Sequence, residues 1–302
     1  MIDTLATALM MSTPLLYGAI SEMFTERSGV MNTSIEGAFL MGAFGGFVGA
    51  YISGSLLIGF IFAIISGVLL TFIYGIVTVK YKQHQVVTGT ALNILALGLA
   101  TFLFRVIFGI PVIPLKVTPL QTIAIPLLSK IPFVGPIFFD QNLLTYIMYF
   151  IVPASFYVLY KTSYGLIIRS TGENPEAVDV AGVDVNRVRI TMLLIAGAFC
   201  GIAGAFYSLT ILGLFTSSII GGRGWIAFAI CFLGNWRPYG VLFGALAFGL
   251  AEAIGIRFMV MEGMVIPNEF FIALPYILTI ILTITRNSFN IPAKLGVPYN
   301  KE

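Results

Sequence analysis

The chain has 302 residues, of which 58% are hydrophobic and 10% charged, with a formal net charge of +3 and a mean hydropathy of +0.99. An average soluble domain is roughly 25% charged, so this composition excludes a soluble globular fold and leaves no stretch for a separate soluble domain. The small net charge selects no partner class and gives no reason to expect nucleic-acid binding.

About 20 residues of helix span the roughly 30 Å hydrocarbon layer of a bilayer, and apolar stretches of that length recur along the chain. The first, 3–24, begins "MIDTLATALMMSTPLLYGAI", with no basic leader or small-residue cleavage site, and is expected to stay as a helix. Helices follow at 35–52, 55–79 and 86–110; "KYKQHQ" between the last two holds the sole histidine, His84, as a solvated loop residue. After a Pro-rich stretch come helices at 143–160 and 190–212, a short apolar run at 225–234, and helices at 239–257 and 269–285. These nine candidate crossings predict an all-α membrane protein, a polytopic helical bundle, with 1–302 as one transmembrane domain. Cys200 and Cys231 lie in apolar stretches and read as small buried hydrophobes rather than a disulfide or metal site. No group of His, Cys or carboxylates has the spacing of metal ligands or of a nucleophile and base, so no metal and no catalytic residue is expected.

Lys and Arg near helix ends stay on the cytoplasmic side. If the chain starts outside, the inside segments collect Arg27, Lys80, Lys82, Lys161, Arg169, Arg187, Arg189, Arg237, Arg286, Lys294 and Lys301, eleven of the sixteen basic residues. The outside receives Lys116, Lys130, Arg223 and Arg257, Arg105 falls within a helix, and the C-terminus is cytoplasmic.

The run "GWIAFAICFLG" covers only roughly 15 Å at the helical rise and cannot cross as an ordinary helix. Flanked by "GGRG" and "NWRPYG", it reads as a half-helix fed by extended backbone, which survives at membrane depth only where protein or a water-filled cavity satisfies it; a loose surface hairpin is the alternative. "ERSGVMNTSIEGAFLMGAFGG" has a related pattern of polar lead-in and Gly-broken apolar run, and the charge bias has it starting from the other side. This predicts inverted-repeat halves at about 25–110 and 213–286, with the pathway between them. Gly42, Gly45, Gly46, Gly49, Gly240, Gly244 and Gly249 mark faces where helices approach closely. Glu36, Arg105 and Glu252 are charges inside spans; Arg105 and Glu252 fall toward outer helix ends, where snorkelling or a structural pair competes with a transport role. The translocation path is assigned to Asn32, Ser34, Glu36, Phe39, Phe44, Asn93, Gly222, Gly224 and Trp225, which supply hydrogen bonds and aromatic faces.

Between the spans lies the polar loop 161–190, containing "RSTGENPEAVDVAGVDVNRVRI". Asn174 is suited to N-cap a helix with Pro175 in its first turn, Glu173 and Glu176 complement that N-terminus, and Gly182 can end it in a left-handed conformation. The two turns "PEAVDVA" are too short to be stable alone. Asp184 then caps the next helix. A polar element so carefully terminated predicts docking to a cytoplasmic protein, with an ordinary ordered loop as the alternative.

Taken in order, "ERSGVMNTSIEGAFLMGAF", "STGENPEAVDVAGVDVNRVRI" and "GRGWIAFAICFLGNWRPYG" resemble the membrane subunits of ABC importers of the branched-chain amino acid, ribose and simple-sugar permease superfamily, and within it the nucleoside-type permeases. The resemblance covers essentially the whole chain. It implies a multi-pass permease of the bacterial cytoplasmic (inner) membrane, surrounded by lipid, that is not itself an enzyme. It also implies a second permease subunit, identical or homologous, and an extracytoplasmic substrate-binding lipoprotein. The chain has no GxxxxGK[ST] loop, so ATP and magnesium would sit on a separate cytoplasmic ATPase, with no cofactor on this chain. Glu173, Asn174, Pro175, Glu176, Ala177, Asp179, Ala181 and Gly182 match the family's ATPase-coupling helix. The implied cargo is a nucleoside, by preference a purine one; riboflavin or a simple sugar is the alternative, and an ion-coupled secondary transporter a more distant one, since few buried carboxylates offer ion sites.

Overall fold

A computed structural model describes residues 1–261, 267–285 and 288–300; Arg286 and Lys301, both assigned to the inside, lie outside the described residues. The chain opens with α1 (Ile2–Arg27), α2 (Ile35–Ser53), α3 (Leu56–Gly75, prolonged by a π turn, Ile76–Lys80) and α4 (Gln85–Phe108). The Pro-rich stretch follows, with β1 (Thr122–Ala124), α5 (Val134–Phe138) and β2 (Asp140–Asn142). Next come α6 (Leu143–Lys161), α7 (Ser163–Glu173), α8 (Pro175–Val180) and α9 (Val185–Ala205, prolonged by a π turn, Phe206–Ile211). The chain then forms α10 (Arg223–Leu233), α11 (Pro238–Met259) and α12 (Asn268–Thr285).

Among the described residues, seven helices are long and apolar enough to cross a membrane: α1, α2, α3, α4, α6, α9 and α11. α10 and the Phe270–Ile284 part of α12 are shorter apolar helices, so of the nine candidate crossings seven are full-length, α10 is short as its half-helix reading requires, and the last is shorter than expected. The all-α fold carries one short hairpin in the Pro-rich stretch, where β1 and β2 pair antiparallel with Thr122 opposite Asn142. α7 was not foreseen as a separate helix; it forms because Thr162 accepts from the Gly165 amide at 3.0 Å and breaks the path from α6. α9 starts five residues before the expected 190, where Asp184 accepts from the Arg187 amide at 3.0 Å.

α1 is buried from Ala8 through Glu26 apart from Met10 and lies against α9, α10 and α11. Backbones meet directly across the core. A Cβ on Gly42 of α2 would lie 2.5 Å from the Gly201 Cα of α9, one on Gly204 would collide with the Phe39 carbonyl, and one on Gly249 of α11 would lie 2.5 Å from the Ala8 carbonyl of α1. Small residues are what permit such approach in helix pairs without a hydrophobic driving force. Outward faces of α3 and α4 instead expose large apolar side chains such as Leu57, Leu69, Ile94 and Phe102.

The segments expected on the inside meet at one end of the bundle, called here the basic end. Lys294 N donates to Gly172 O at 2.9 Å and Gly296 N to Gly29 O at 3.1 Å. Lys82 Nζ reaches Asn300 at 2.6 Å, and Asn290 N donates to the Asn235 side chain at 2.7 Å. At the opposite end Val117 N donates to Gly213 O at 2.8 Å and Leu120 N to Leu209 O at 2.8 Å.

These crossings give a contrast to measure. Gly204→Leu should destabilise the folded protein by about 3 kcal/mol or more through overpacking. Gly98→Leu, on α4 with nothing within 4 Å of its would-be Cβ, should leave the thermal unfolding midpoint in detergent unchanged.

Candidate functional site

The loop 28–34 turns back into the bundle before α2 begins. Tyr74 of α3 donates to the Met31 carbonyl, Met31 N donates to Gln85 Oε1 at 2.8 Å, and Thr33 Oγ1 donates to Gln85 O at 2.9 Å. Asn93 holds both sides of the start of α2: its Nδ2 donates to Thr33 O at 3.0 Å and its Oδ1 accepts from Gly37 N at 2.8 Å. Asn93 is eight residues into α4, roughly 12 Å along its axis, so α2 starts well within the bundle.

α10, with 11 residues, is roughly 16 Å long. Gly221 (φ +57°) and Gly222 (φ +85°) turn the chain into it, in a left-handed conformation that glycine adopts without strain. Gly222 N and Gly224 N each donate to one oxygen of Glu36 at 2.8 Å. Glu36 also lies in the first turn of α2, so one carboxylate serves two helix N-termini. From this joint α10 runs to the basic end, where Arg27 Nε donates to Trp236 O at 3.2 Å. α2 leaves toward the other end, where Gly54 borders a cavity with Lys116 and Thr118. The short run is a half-helix inside the bundle, with Gly224, Ile226, Ala227, Ile230 and Cys231 buried, and the surface-hairpin alternative fails.

Beside the joint, Arg223 Nε donates to Glu252 Oε1 at 2.7 Å, its guanidinium lies 5.1 Å from the Tyr207 ring centroid, and its Nη1 donates to Ile220 O at 3.1 Å. Tyr276 donates to Gly221 O at 3.1 Å. A cavity of about 360 Å³ opens against Gly221, Arg223, Glu252, Phe271 and Tyr276. This corrects one expectation and decides between the alternatives left open for another. Arg223 is not an outer-loop cation but part of the site, because the positive-φ glycines carry it inward; and Glu252 is paired with Arg223, while Arg105 is exposed on α4. Tyr207, in the π turn that ends α9, is 3% exposed, and its hydroxyl has no partner among the described residues.

The path residues fare unequally. Glu36, Gly222 and Gly224 come together; Asn32 and Ser34 are buried and bonded to each other at 2.7 Å, and Asn93 braces α2. Phe39 is wedged against Gly18 and Gly204, and Phe44 sits edge-on to Phe215 with centroids 5.5 Å apart. Both rings fill the core and offer no free face. Trp225 is 40% exposed, edge-on to Phe228.

The sequence reading missed Glu22 and Glu26, each 0% exposed. Glu26 accepts from the Trp236 indole and, at 3.5 Å, from Cys231; Glu22 is close to Thr25 and Asn32. The Oε1 of each, and Asn32 Nδ2, have no partner among the described residues. The signal was present: Glu22 and Glu26 are four apart, on one face of a helix, and Glu22 falls inside the first predicted span. Cys200 and Cys231 are free and buried, yet Cys200 lies 3.2 Å from Ser21 Oγ, so both meet polar groups rather than only hydrocarbon. Arg189 is 2% exposed and donates to Ser28 O and Val297 O at 3.2 and 3.0 Å.

The polar loop forms the capped helix. Asn174 accepts from the Ala177 amide at 3.1 Å, Pro175 opens α8, and Gly182 follows at φ +85°. Pro175 and Val178 are buried, with Val178 against Val185 and Tyr299, whereas Glu176, Ala177, Ala181 and Gly182 are exposed and Val180 is 90% exposed. Asp179 accepts from the Tyr299 hydroxyl at 3.0 Å. Glu173 approaches Arg27 at 4.0 Å and accepts from Ala293 N at 3.2 Å.

The Glu36 joint makes a graded prediction. Glu36→Ala strips two amides of their acceptor, at about 1–3 kcal/mol for each buried unsatisfied group, and should lower the thermal unfolding midpoint more than Glu36→Gln, which keeps an acceptor. Arg105→Ala should leave the midpoint unchanged.

Comparison with family models matches residues 4–283 to the branched-chain amino acid transport system / permease component family. Among curated relatives, the guanosine ABC transporter permease protein NupQ of Bacillus subtilis is 36% identical over 97% of this chain and 95% of its own length. The nucleoside ABC transporter permease protein NupC of Lactococcus lactis is 34% identical, covering 98% of this chain and 96% of its own. TsgC13 of Haloferax volcanii, an ABC permease named for glucose, is 35% identical over 82% of this chain and 74% of its own. A solved inward-facing metal-chelate type ABC transporter shares the fold at a TM-score of 0.53 and 17% identity, over 94% of this chain and 85% of that one. With a half-helix seated on a half-buried carboxylate, seven apolar spans among the described residues and this family match across nearly its whole length, the chain belongs to the branched-chain amino acid transport system permease family and is a multi-pass permease subunit of an ABC transporter.

Proposed function

We propose that this permease forms half of the membrane pathway of an ATP-driven importer of nucleosides, purine nucleosides foremost. The observation that carries the cargo is the near-full-length likeness to NupQ and NupC, relatives named for guanosine and nucleosides. The likeness to TsgC13 favours a simple sugar as second reading; riboflavin rests on family resemblance alone.

In this reading the basic end is cytoplasmic, as the retention of Lys and Arg requires, and the C-terminus is on that side of a bacterial inner membrane. A separate ATPase, carrying ATP and magnesium, docks on the exposed face of α8 formed by Glu176, Ala177, Val180 and Ala181. An extracytoplasmic lipoprotein delivers the cargo, and a second permease, identical or homologous, completes the pathway. The halves 25–110 and 213–286 act as inverted repeats meeting at Glu36. Motion of α8 passes through the close packing of Gly172 on Arg27 and Gly29 to the end of α1, and from Arg27 through its hydrogen bond to Trp236 O in the turn after α10, so it reaches the joint along α10. Cargo passes between the repeats beside Glu36, Gly222, Gly224 and Tyr207, with Asn32, Ser34 and Asn93 toward the inner end.

The test is ATP-dependent guanosine uptake in proteoliposomes holding the permease, its ATPase and the lipoprotein, with riboflavin and pentoses as competitors. Glu176→Arg costs α8 about 0.3–1 kcal/mol at its N-terminus, and Gly182→Asp about 1 kcal/mol at a left-handed position. Both should leave the bundle folded while reducing ATPase copurification and uptake; unmutated rates in both would refute the docking role of α8. Gly222→Val should insert normally and lose uptake. Competition by pentoses but not by guanosine would turn the assignment to sugars. Native mass spectrometry should find two membrane subunits per complex.

A further inference from the structure

A second cavity, of about 930 Å³, opens at the basic end between α6–α7 and the turn from α10 to α11. Its described lining includes Arg27, Arg169 and Arg237 against one acid, Glu173. Arg237 is exposed and its side chain has no hydrogen bond or ion pair to the described residues. Arg169 spends only Nε, on Leu159 O at 2.9 Å, with its guanidinium 5.0 Å from the Tyr160 ring centroid. Arg27 stands 4.0 Å from Glu173, too far for a close ion pair. Among the described residues, the cavity therefore holds more positive charge than its own protein groups compensate.

It does not end at the polar groups. Gly234, Gly240 and Phe243 also line an adjoining groove of about 430 Å³, which continues past Gly244 and Ala247 of α11, opposite Leu282 of α12. That groove is made of apolar groups and runs along a membrane-spanning helix. At the junction Phe243 is 69% and Tyr239 46% exposed, and Phe156 lies against Tyr239 with centroids 5.5 Å apart, an arrangement of aromatics that suits the boundary between headgroups and acyl chains. Basic pockets between helices at a membrane surface are suited to anionic lipid headgroups.

We propose that these two cavities form one site for an anionic phospholipid, its phosphate between Arg169 and Arg237 and an acyl chain in the groove along α11. A free phosphate would satisfy the arginines but leave the groove empty; a zwitterionic lipid would fill the groove but leave the charge excess. The bound headgroup joins α7, at the start of the polar loop, to the turn that ends the half-helix. The site stands independently of the cargo and of the ATPase docking, and its readout needs neither.

The experiment reconstitutes the full chain in nanodiscs of equal parts phosphatidylglycerol and phosphatidylcholine, then counts retained lipids by native mass spectrometry. Wild type should retain phosphatidylglycerol selectively. An arginine near the membrane surface is worth roughly fivefold in anionic-lipid affinity, so Arg169→Gln with Arg237→Gln should weaken retention about 25-fold. Ala247→Phe, which fills the groove and leaves every charge in place, should weaken it as well; elution and thermal unfolding report folding. Equal retention of phosphatidylcholine by wild type would overturn the proposal. So would displacement by excess inorganic phosphate combined with no effect of Ala247→Phe, which would mean a free-anion site. Unchanged phosphatidylglycerol retention in the folded double-arginine variant would overturn it too.

Discussion

The joint between Glu36 and the amides of Gly222 and Gly224 sets the geometry on which the site depends. Two helix N-termini brought to the same place present unsatisfied N–H groups and partial positive charge to each other. Between them stands a single carboxylate, in the first turn of one helix and accepting from the other, which answers both needs. Without it, α10 would begin with bare amides inside an apolar bundle, where water is not at hand to satisfy them. The fold-back of loop 28–34, the left-handed pair Gly221–Gly222 and the opposite departures of α2 and α10 all serve to make this meeting possible.

The charges around the joint follow the same logic. Arg223 would be costly at this depth alone, but Glu252 and the Tyr207 ring take up its guanidinium. At the basic end, Glu26 accepts from Trp236 in the turn after α10, and Arg27 donates to the same residue's carbonyl. The half-helix is thus held at its start by a residue of α2 and at its finish by residues of α1. A rigid-body shift of α10 must change both attachments together, which makes it a two-ended lever rather than a loose plug.

The polar loop is fixed in a comparable way. α8 has six residues and could not persist alone; its inner face buries Pro175 and Val178, the latter packed with Val185 and Tyr299, while its caps satisfy the ends. The C-terminal segment 288–300 takes part through Ala293, Lys294, Gly296, Val297 and Tyr299, each bonded to the loop, to α9 or to the end of α1. These ties leave the outer face of α8 exposed and ordered, as the docking role proposed for it requires.

Much of this was legible in the residues. Helix positions followed from apolar length, since a bilayer imposes about 20 residues whatever the fold; the shortness of 225–234 forbade an ordinary span; and Asn174, Pro175 and Gly182 announced α8 because capping depends on local backbone chemistry. Glu36 was visible as a charge in a span. Its partners were not, because Gly222 lies 186 residues away and no local pattern encodes such a contact. Nor does a local pattern encode the pairing of Arg223 with Glu252, 29 residues apart, the burial of Glu22, Glu26 and Arg189, or the packing role of Phe39 and Phe44. The sequence by itself determined which segments are apolar and long enough to enter the membrane and where α8 starts and stops, since those depend on hydrophobic length and neighbouring residues; only the tertiary structure decided which buried charge meets which partner, because that choice is made by backbones crossing at glycine contacts far apart in the chain.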